Sequence, residues 1–218
     1  MKDFDAVIFD MDGVIFDSEI KVIECWEELA ERDGLKNIRE PLNQCLGVTR
    51  DTSRGIMKAF YGETFPYDEY AKEASALFHS RYDGGRLPVK PGARELLTGL
   101  KASGKKLALA SSTRRKSVEQ MLGDARLLSF FDRVICGDMV TRSKPAPDIF
   151  LRACEETGVS PDRAYAIEDS YNGIRSAAAG GLRTIMVPDL MPPTEEMRQL
   201  SEAVLKDLHE ARRWLLEE

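Results

Sequence analysis

The stretch Phe4-Asp5-Ala6-Val7-Ile8-Phe9-Asp10-Met11-Asp12-Gly13 decides how this 218-residue chain is read. Ala6 to Phe9 is a continuous apolar run, too short for a helix and flanked by charge, which is the pattern of a strand buried on both faces of a parallel sheet. Asp10 falls at its C-terminal end, Asp12 follows two residues later, and Gly13 breaks the pattern. Two carboxylates therefore stand where a strand gives way to a loop, and in an open α/β sheet that edge is where ligands bind. Asp and Gly are also ordinary turn formers, so the motif alone leaves a simple turn open.

Beyond it, Val22, Ile23, Trp26, Leu29 and Ala30 recur at helical spacing within Ser18 to Asp33. Gly34 is placed to end that helix, and Asp17 or Ser18 to cap its start. Helical stretches follow over Pro41 to Leu46, Asp51 to Tyr61 and Tyr67 to Tyr82, with no strand pattern among them. A parallel crossover needs only one helix, so four in succession predict a separate small domain inserted after the first strand. The expected division is a core of residues 1–15 and 86–218 and a helical cap of 16–85, joined through Val14 to Asp17 and Asp83 to Val89.

From Pro91, expected in a first helical turn, helix and strand alternate. Lys106 to Ala110 reads as a strand closing on Ser111-Ser112-Thr113, and Arg133 to Cys136 as another. A loop to Pro147 and a helix over Asp148 to Thr157 lead to a strand, Ala164 to Ile167, that ends on Glu168-Asp169. Thr184 to Val187 and a short edge at Ala203 to Leu205 complete the strands, and Asp207 with Glu210 reads as a capping box for the last helix. This alternation predicts the α/β class, a Rossmann-like doubly wound parallel sheet.

Parallel strands in one sheet point the same way, so Asp10 and Asp12, Ser111 to Thr113, and Glu168 with Asp169 converge on one crevice. Lys144 enters from Ser143-Lys144-Pro145-Ala146-Pro147-Asp148, a loop stiffened by two prolines. Carboxylates without nearby Cys or His suit a hard cation with oxygen ligands, Mg2+ above all. Lysine, serine hydroxyl and backbone N–H groups suit the equatorial oxygens of a phosphoryl group in transfer. Asp10 is then a candidate carboxylate nucleophile, and Asp12 a candidate proton donor and acceptor.

These residues resemble the haloacid dehalogenase superfamily, and within it the phosphatase and β-phosphoglucomutase branch with a helical cap. Asp10-Met11-Asp12-Gly13-Val14 is similar to its first motif, Ser111 to the second, Lys144 in Lys-Pro-Ala-Pro-Asp to the third, and Glu168-Asp169-Ser170 with Asn172-Gly173 to the fourth. The resemblance implies an aspartyl-phosphate on Asp10 and acid/base work by Asp12. It implies Mg2+ held by the Asp10 carboxylate, the Asp12 backbone carbonyl and Asp169, with Glu168 in support, and phosphate held by Ser111, the Ser112 amide and Lys144. Gly47-Val48-Thr49-Arg50-Asp51 resembles a substrate-phosphate loop of the mutases, which makes Arg50 a candidate for a second phosphate. The mutases carry a histidine where this chain has Val22. The first expectation is therefore a Mg2+-dependent phosphatase acting on a small monoester of the sugar-phosphate type. A sugar-phosphate mutase and a non-catalytic phospholigand-binding protein stand as alternatives.

Composition narrows the remaining classes. The chain is 43% hydrophobic and 31% charged, ordinary for a globular protein, and no apolar run approaches the ~20 residues that span a bilayer. Met1-Lys2-Asp3 leads into the first strand without a signal-peptide apolar region, which predicts a cytoplasmic protein. A net charge of −6 argues against a general nucleic-acid partner and a small phosphorylated substrate remains the expected one. Cys25, Cys45, Cys136 and Cys154 lack metal-site spacing and read as reduced packing residues.

Overall fold

A computed structural model describes residues 2–217. Met1 and Glu218, the outermost residues of the expected core span, lie outside the described residues. The strands are β1 Ala6–Phe9, β2 Lys106–Ser111, β3 Arg133–Cys136, β4 Ala164–Glu168, β5 Arg183–Met186 and β6 Ala203–Val204. All pairings are parallel, in the order β3-β2-β1-β4-β5-β6. The chain builds outward from β1 through β2 to β3, then crosses back to lay β4 on the other side of β1. The strand order therefore reverses at the C-terminal ends of β1 and β4, where such sheets bind ligands.

The helices of the sheet domain are α5 Ala93–Ala102, α6 Arg115–Asp124, α7 Asp148–Thr157, α8 Tyr171–Ala179, α9 Glu195–Leu200 and α10 Leu208–Leu216. They lie on both faces, and the strand sequences explain how. Val7, Phe9, Leu107, Leu109, Tyr165 and Ile167 all pack into the cluster under α5, α6 and α10. Ala6, Ile8, Ala108, Ala110, Ala164 and Ala166 pack on the other side, against Ile149, Phe150 and Ala153 of α7. Period-2 alternation thus puts the bulky residues on one face and mostly alanine on the other, so that α7 approaches the sheet closely. Asp10 and Glu168 continue the small-residue rows of β1 and β4, and their side chains turn to the face on which α7 begins.

The first four helices, α1 Ser18–Arg32, α2 Arg39–Gln44, α3 Arg50–Tyr61 and α4 Tyr67–Tyr82, share an apolar cluster of their own. Trp26 lies at its centre, with ring centroids 5.8 Å from both Tyr67 and Tyr70. The two chain connections to the sheet run side by side. Phe16 bridges Val89, the Asp17 amide donates to Pro88 O (3.1 Å), and the Lys90 amide donates to Ile15 O (2.9 Å). Lys90 Nζ then ties Asp17 (3.0 Å) to Asp189 (2.5 Å) after β5.

The bounds of α4, β3 and α7 are those expected from sequence, three local expectations are corrected, and one helix is added. Pro91 precedes the helix rather than starting it, because Gly92, at φ 86°, takes the N-cap position. Neither Asp17 nor Ser18 caps α1 by its side chain, since Asp17 is drawn to Lys90 and the Ser18 hydroxyl to Asp12. Asp207 accepts from the Glu210 amide (2.8 Å), but Glu210 reaches back to the amide of Lys206 (2.6 Å) instead of closing the box on Asp207. Helix α9 was unexpected: six residues with only Met197 buried show too little periodicity to be read, and its start is set by Thr194 accepting from the Met197 amide. Among the described residues no helix is long and apolar enough to cross a membrane.

Neighbouring residues of α7 test the packing account. Phe150 is fully buried and Leu151 is 41% exposed. Phe150→Ala should cost about 3–5 kcal/mol of unfolding free energy by urea titration, whereas Leu151→Ala should stay within about 0.5 kcal/mol of the parent.

Candidate active site

Between the C-terminal edge of the sheet and the first four helices lies a cleft of about 580 Å³. Its sheet side carries Asp10, Asp12, Ser112, Ser143, Lys144 and Asp169. Register sets these positions: Phe9 pairs with Leu109 and Ile167, so the residues after β1 stand level with the ends of β2 and β4.

Lys144 is the hub. Its Nζ donates to Asp10 Oδ1 (2.5 Å), Glu168 Oε1 (2.6 Å) and Ala110 O (2.9 Å), with all three side chains buried or nearly so. Burial by itself disfavours the ammonium, but the Asp10 and Glu168 carboxylates override it and hold Lys144 above the ordinary lysine value. Glu168 is saturated: its Oε2 accepts from the Asp169 amide, the Ser170 amide and the Ser170 hydroxyl, each at 3.0 Å. It sits behind the cleft wall and positions Lys144 and the start of α8. Room for it depends on Gly173, where a Cβ would overlap the Glu168 carboxyl. Gly13, at φ 79°, answers the same need beside Asp169.

Asp12 is caught between elements. Its Oδ1 accepts from the Ser18 hydroxyl at the start of α1 (2.6 Å), and its Oδ2 from the Thr113 hydroxyl after β2 (2.8 Å). Ser111 is fully buried, its hydroxyl accepting from the Thr113 amide (3.1 Å) and donating to Asp12 Oδ2 (3.5 Å), while Ser112 faces the cleft. Arg50 lines the opposite wall at the first turn of α3, 62% exposed and paired with Asp68 (2.9 Å). The structure thus brings Asp10, Asp12, Ser112, Lys144, Asp169 and Arg50 to one cavity, with Ser111 and Glu168 just behind it.

Asp10, Glu168 and Asp169 offer carboxylate oxygens within 4.8 Å of one another. Among the described residues no donor hydrogen-bonds the Asp169 side chain, although the residue is only 3% exposed. An all-oxygen set that includes a carboxylate on the cleft wall with no protein donor fits Mg2+. The charge is concentrated enough to hold protons when no cation is bound. Burial, opposed by Lys144 and helped by Glu168 and Asp12, pushes the Asp10 carboxyl up to about 8. Asp169 is raised well above the carboxylate range by burial and then by Glu168, Glu19 and Asp10.

Glu19 was missed in the sequence. It lines the cleft, and its carboxyl oxygens approach those of Asp169 and Asp189. Burial, then the charges of Asp12 and Asp10, push its carboxyl up to about 8. The signal was present: Glu19 stands one turn before Val22 and Ile23 and two before Trp26, on the face already read as inward. Ser18 and Thr113 were missed as Asp12 partners because no spacing links residues of two different loops.

The model of the haloacid dehalogenase-like hydrolase family matches residues 7–187, which include all of these sheet-side groups. The chain belongs to that family. It is 31% identical over 181 residues to a phosphorylated carbohydrates phosphatase of Thermotoga maritima, with 83% of each chain covered. It is 30% identical over 216 residues to a β-phosphoglucomutase of Bacillus subtilis, with 94% of each covered. Among solved structures, a family hydrolase of Deinococcus radiodurans with bound phosphate and sodium is 27% identical. It superposes with a TM-score of 0.82 over 99% of this chain and 96% of that one. The family assignment agrees with the parallel sheet and its edge carboxylates.

Glu19 gives a pH test with a definite sign. The unfolded chain loses this proton near the ordinary glutamate value of 4.5, while the fold retains it to about 8. In between, the folded state binds more protons, so wild-type stability falls as pH rises across that window. Glu19→Gln removes the loss. In metal-free buffer its melting temperature should gain on the wild type between pH 5 and pH 8, and a constant difference would contradict the assignment.

Proposed function

We propose that this chain is a Mg2+-dependent phosphatase that hydrolyses a small phosphate monoester through an aspartyl-phosphate on Asp10. The observation that carries the reading is the placement of Asp10 at the end of β1, bonded to Lys144 and open to the cleft, with Asp12 two residues on. The names of the relatives support it: one is a phosphatase of phosphorylated carbohydrates, one a sugar-phosphate mutase, and the solved hydrolase holds phosphate. On this reading residues 16–85 form a cap domain over a core of 1–15 and 86–218.

Asp10 and Asp169, with the Asp12 carbonyl, would hold the cation, which when bound supplies positive charge beside the phosphoryl oxygens and keeps the carboxylates ionised. The chain's own groups do the rest. The Ser112 amide and Lys144, whose bond to Asp10 is given up as that carboxylate turns to phosphorus, hold phosphate oxygens, stabilising charge that spreads over them in the transition state. An Asp10 oxygen forms a bond to phosphorus as the ester P–O bond breaks, and Asp12 gives its proton to the departing alcohol. Asp12, now a carboxylate, then takes a proton from water as that water's oxygen attacks the phosphorus, which releases inorganic phosphate and restores Asp10. The hydroxyls of Ser18 and Thr113 orient Asp12 and tie it to the start of α1.

Hydrolysis of an aryl phosphate should require Mg2+ and cease in excess chelator. Asp10→Asn should form no phosphoenzyme, because an amide is no nucleophile toward phosphorus. Asp12→Asn should lose ~100- to 10,000-fold in turnover yet still be phosphorylated by a donor with a good leaving group, as rapid-quench labelling would show. Equal loss of labelling in both variants would contradict this division of roles.

The mutase reading is kept alive by Arg50, which stands on the wall opposite Asp10 where a second anion could be gripped by a charge-assisted hydrogen bond. Val22, on the same side, offers no donor. β-Glucose 1-phosphate supplied with a catalytic bisphosphate should therefore yield inorganic phosphate or nothing. Arg50→Ala should weaken use of substrates with a second anion more than use of an aryl phosphate. Rapid bisphosphate-dependent formation of glucose 6-phosphate without phosphate release would replace the phosphatase by the mutase.

A further inference from the structure

The chain has six tyrosines, and five of them bond their hydroxyls within the protein. Tyr61 donates to Lys36 O (2.7 Å), Tyr70 to Leu29 O (3.3 Å) and to Asp33, and Tyr82 to Glu24 Oε2 (3.3 Å). Tyr165 donates to Glu202 Oε1 (3.0 Å) and Tyr171 to Pro192 O (2.6 Å). Tyr67 is the exception: among the described residues its hydroxyl has no bonded partner, and it is the tyrosine that lines the cleft. The residue is only 8% exposed, yet its hydroxyl is not sealed in the interior and therefore opens into the cavity.

Packing does not call for that hydroxyl. The Tyr67 ring stacks on Trp26, with centroids 5.8 Å apart and 28° between the planes, and the Arg54 guanidinium lies 5.8 Å from its centroid. A phenylalanine would make the same contacts. A phenol drawn nine-tenths out of water without a protein partner costs free energy, which a partner arriving in the cleft would offset. The stacked ring begins α4, so the hydroxyl is presented from a fixed place rather than from a loop. Ser53, also buried and lining the cleft, stands beside it: burial raises the Tyr67 phenol and the Ser53 hydroxyl draws it back. Even turned toward each other the two hydroxyls use one donor between them, which leaves the second proton for the cavity.

We infer that Tyr67 is a specificity-determining residue whose hydroxyl, with Ser53 beside it, hydrogen-bonds a hydroxyl group on the alcohol portion of the substrate. The inference rests on the phosphatase reading and narrows its substrate class to hydroxylated alcohols. A hydroxyl both donates and accepts, as Tyr67 and Ser53 do, whereas an anion only accepts. Arg50, exposed and bonded through one nitrogen to Asp68, keeps donors for a charged group, so the two recognitions are separate.

Sorbitol 6-phosphate and n-hexyl phosphate make the test. They share one unbranched carbon chain, and the first bears a hydroxyl on every carbon but the phosphorylated one, so whichever carbon reaches Tyr67 presents a hydroxyl. With Mg2+, Tyr67→Phe should lower kcat/KM for sorbitol 6-phosphate about two- to tenfold more than for hexyl phosphate, the scale of one hydrogen bond, and chiefly through KM. A disturbance of packing would lower both alike, so equal losses, or none, would overturn the inference. Calorimetric titration of Asp10→Asn, with and without Tyr67→Phe, repeats the comparison without turnover. Sorbitol 6-phosphate should lose more affinity to the second substitution than hexyl phosphate does, and absent or unaltered binding of sorbitol 6-phosphate would again overturn the inference. Acetyl phosphate, with its small activated leaving group, reports on the phosphatase reading alone. A protein that never hydrolyses it, yet binds sorbitol 6-phosphate in a Tyr67-dependent way, would refute that reading and uphold the role of Tyr67.

Discussion

A single buried ammonium holds the site together. Asp10, Glu168 and Asp169 converge at the sheet edge with Asp12 and Glu19 beside them, and among the described residues Lys144 is the one cation bonded into this group. Like charges this close repel strongly in a low-dielectric interior, and a buried carboxylate without a partner is costly. Lys144 offsets part of that cost by bonding two of the carboxylates and the Ala110 carbonyl at once. What it leaves uncompensated is centred on Asp169, whose carboxyl is raised by burial and by Glu168, Glu19 and Asp10. On the proposed reading, the same imbalance is what a bound cation beside the phosphate would relieve.

The position of Lys144 depends on the sheet. Alanines on one face of β2 and β4 let α7 lie close, and the loop leading into α7 then delivers Lys144 over the ends of β1 and β4. The parity that turns Ala164 and Ala166 toward α7 also turns Glu168 that way, and Ala6 and Ile8 do the same for Asp10. Phe150 packs beneath, its ring 5.0 Å from the Lys144 ammonium. Core packing and site geometry are therefore one arrangement: a larger residue at Ala108 or Ala110 would push α7 outward and carry the lysine away from its carboxylates.

The four-helix segment bears on the same site from the other side. It contributes the Ser18 hydroxyl to Asp12 and the Gly47 carbonyl to the Asn172 side chain (2.5 Å), so its placement and the orientation of Asp12 are linked. Its two connections are paired as a short ladder and clasped by Lys90 between Asp17 and Asp189. Its own aromatic cluster packs behind the inner wall and leaves Val22 and Val48 uncovered.

Much of this was legible in the chain itself. Short apolar runs ending in Asp10, Ser111 and Glu168-Asp169 have only one common solution in a parallel sheet, and four helices without a strand between them could not belong to one crossover. Asp10, Asp12, Lys144 and Asp169 follow from those local patterns because strand ends and loop starts are local properties. What tertiary structure alone decided are the pairings across loops: Ser18 and Thr113 on Asp12, Lys90 between Asp17 and Asp189, and Ser111 turned inward while Ser112 faces the cleft. Glu19 belongs with these, since a first-turn glutamate on an amphipathic helix looks like a solvated residue until the sheet edge is brought against it. Sequence spacing reports which residues share a face, whereas the charge and burial that give a face its chemistry come from whatever folds onto it.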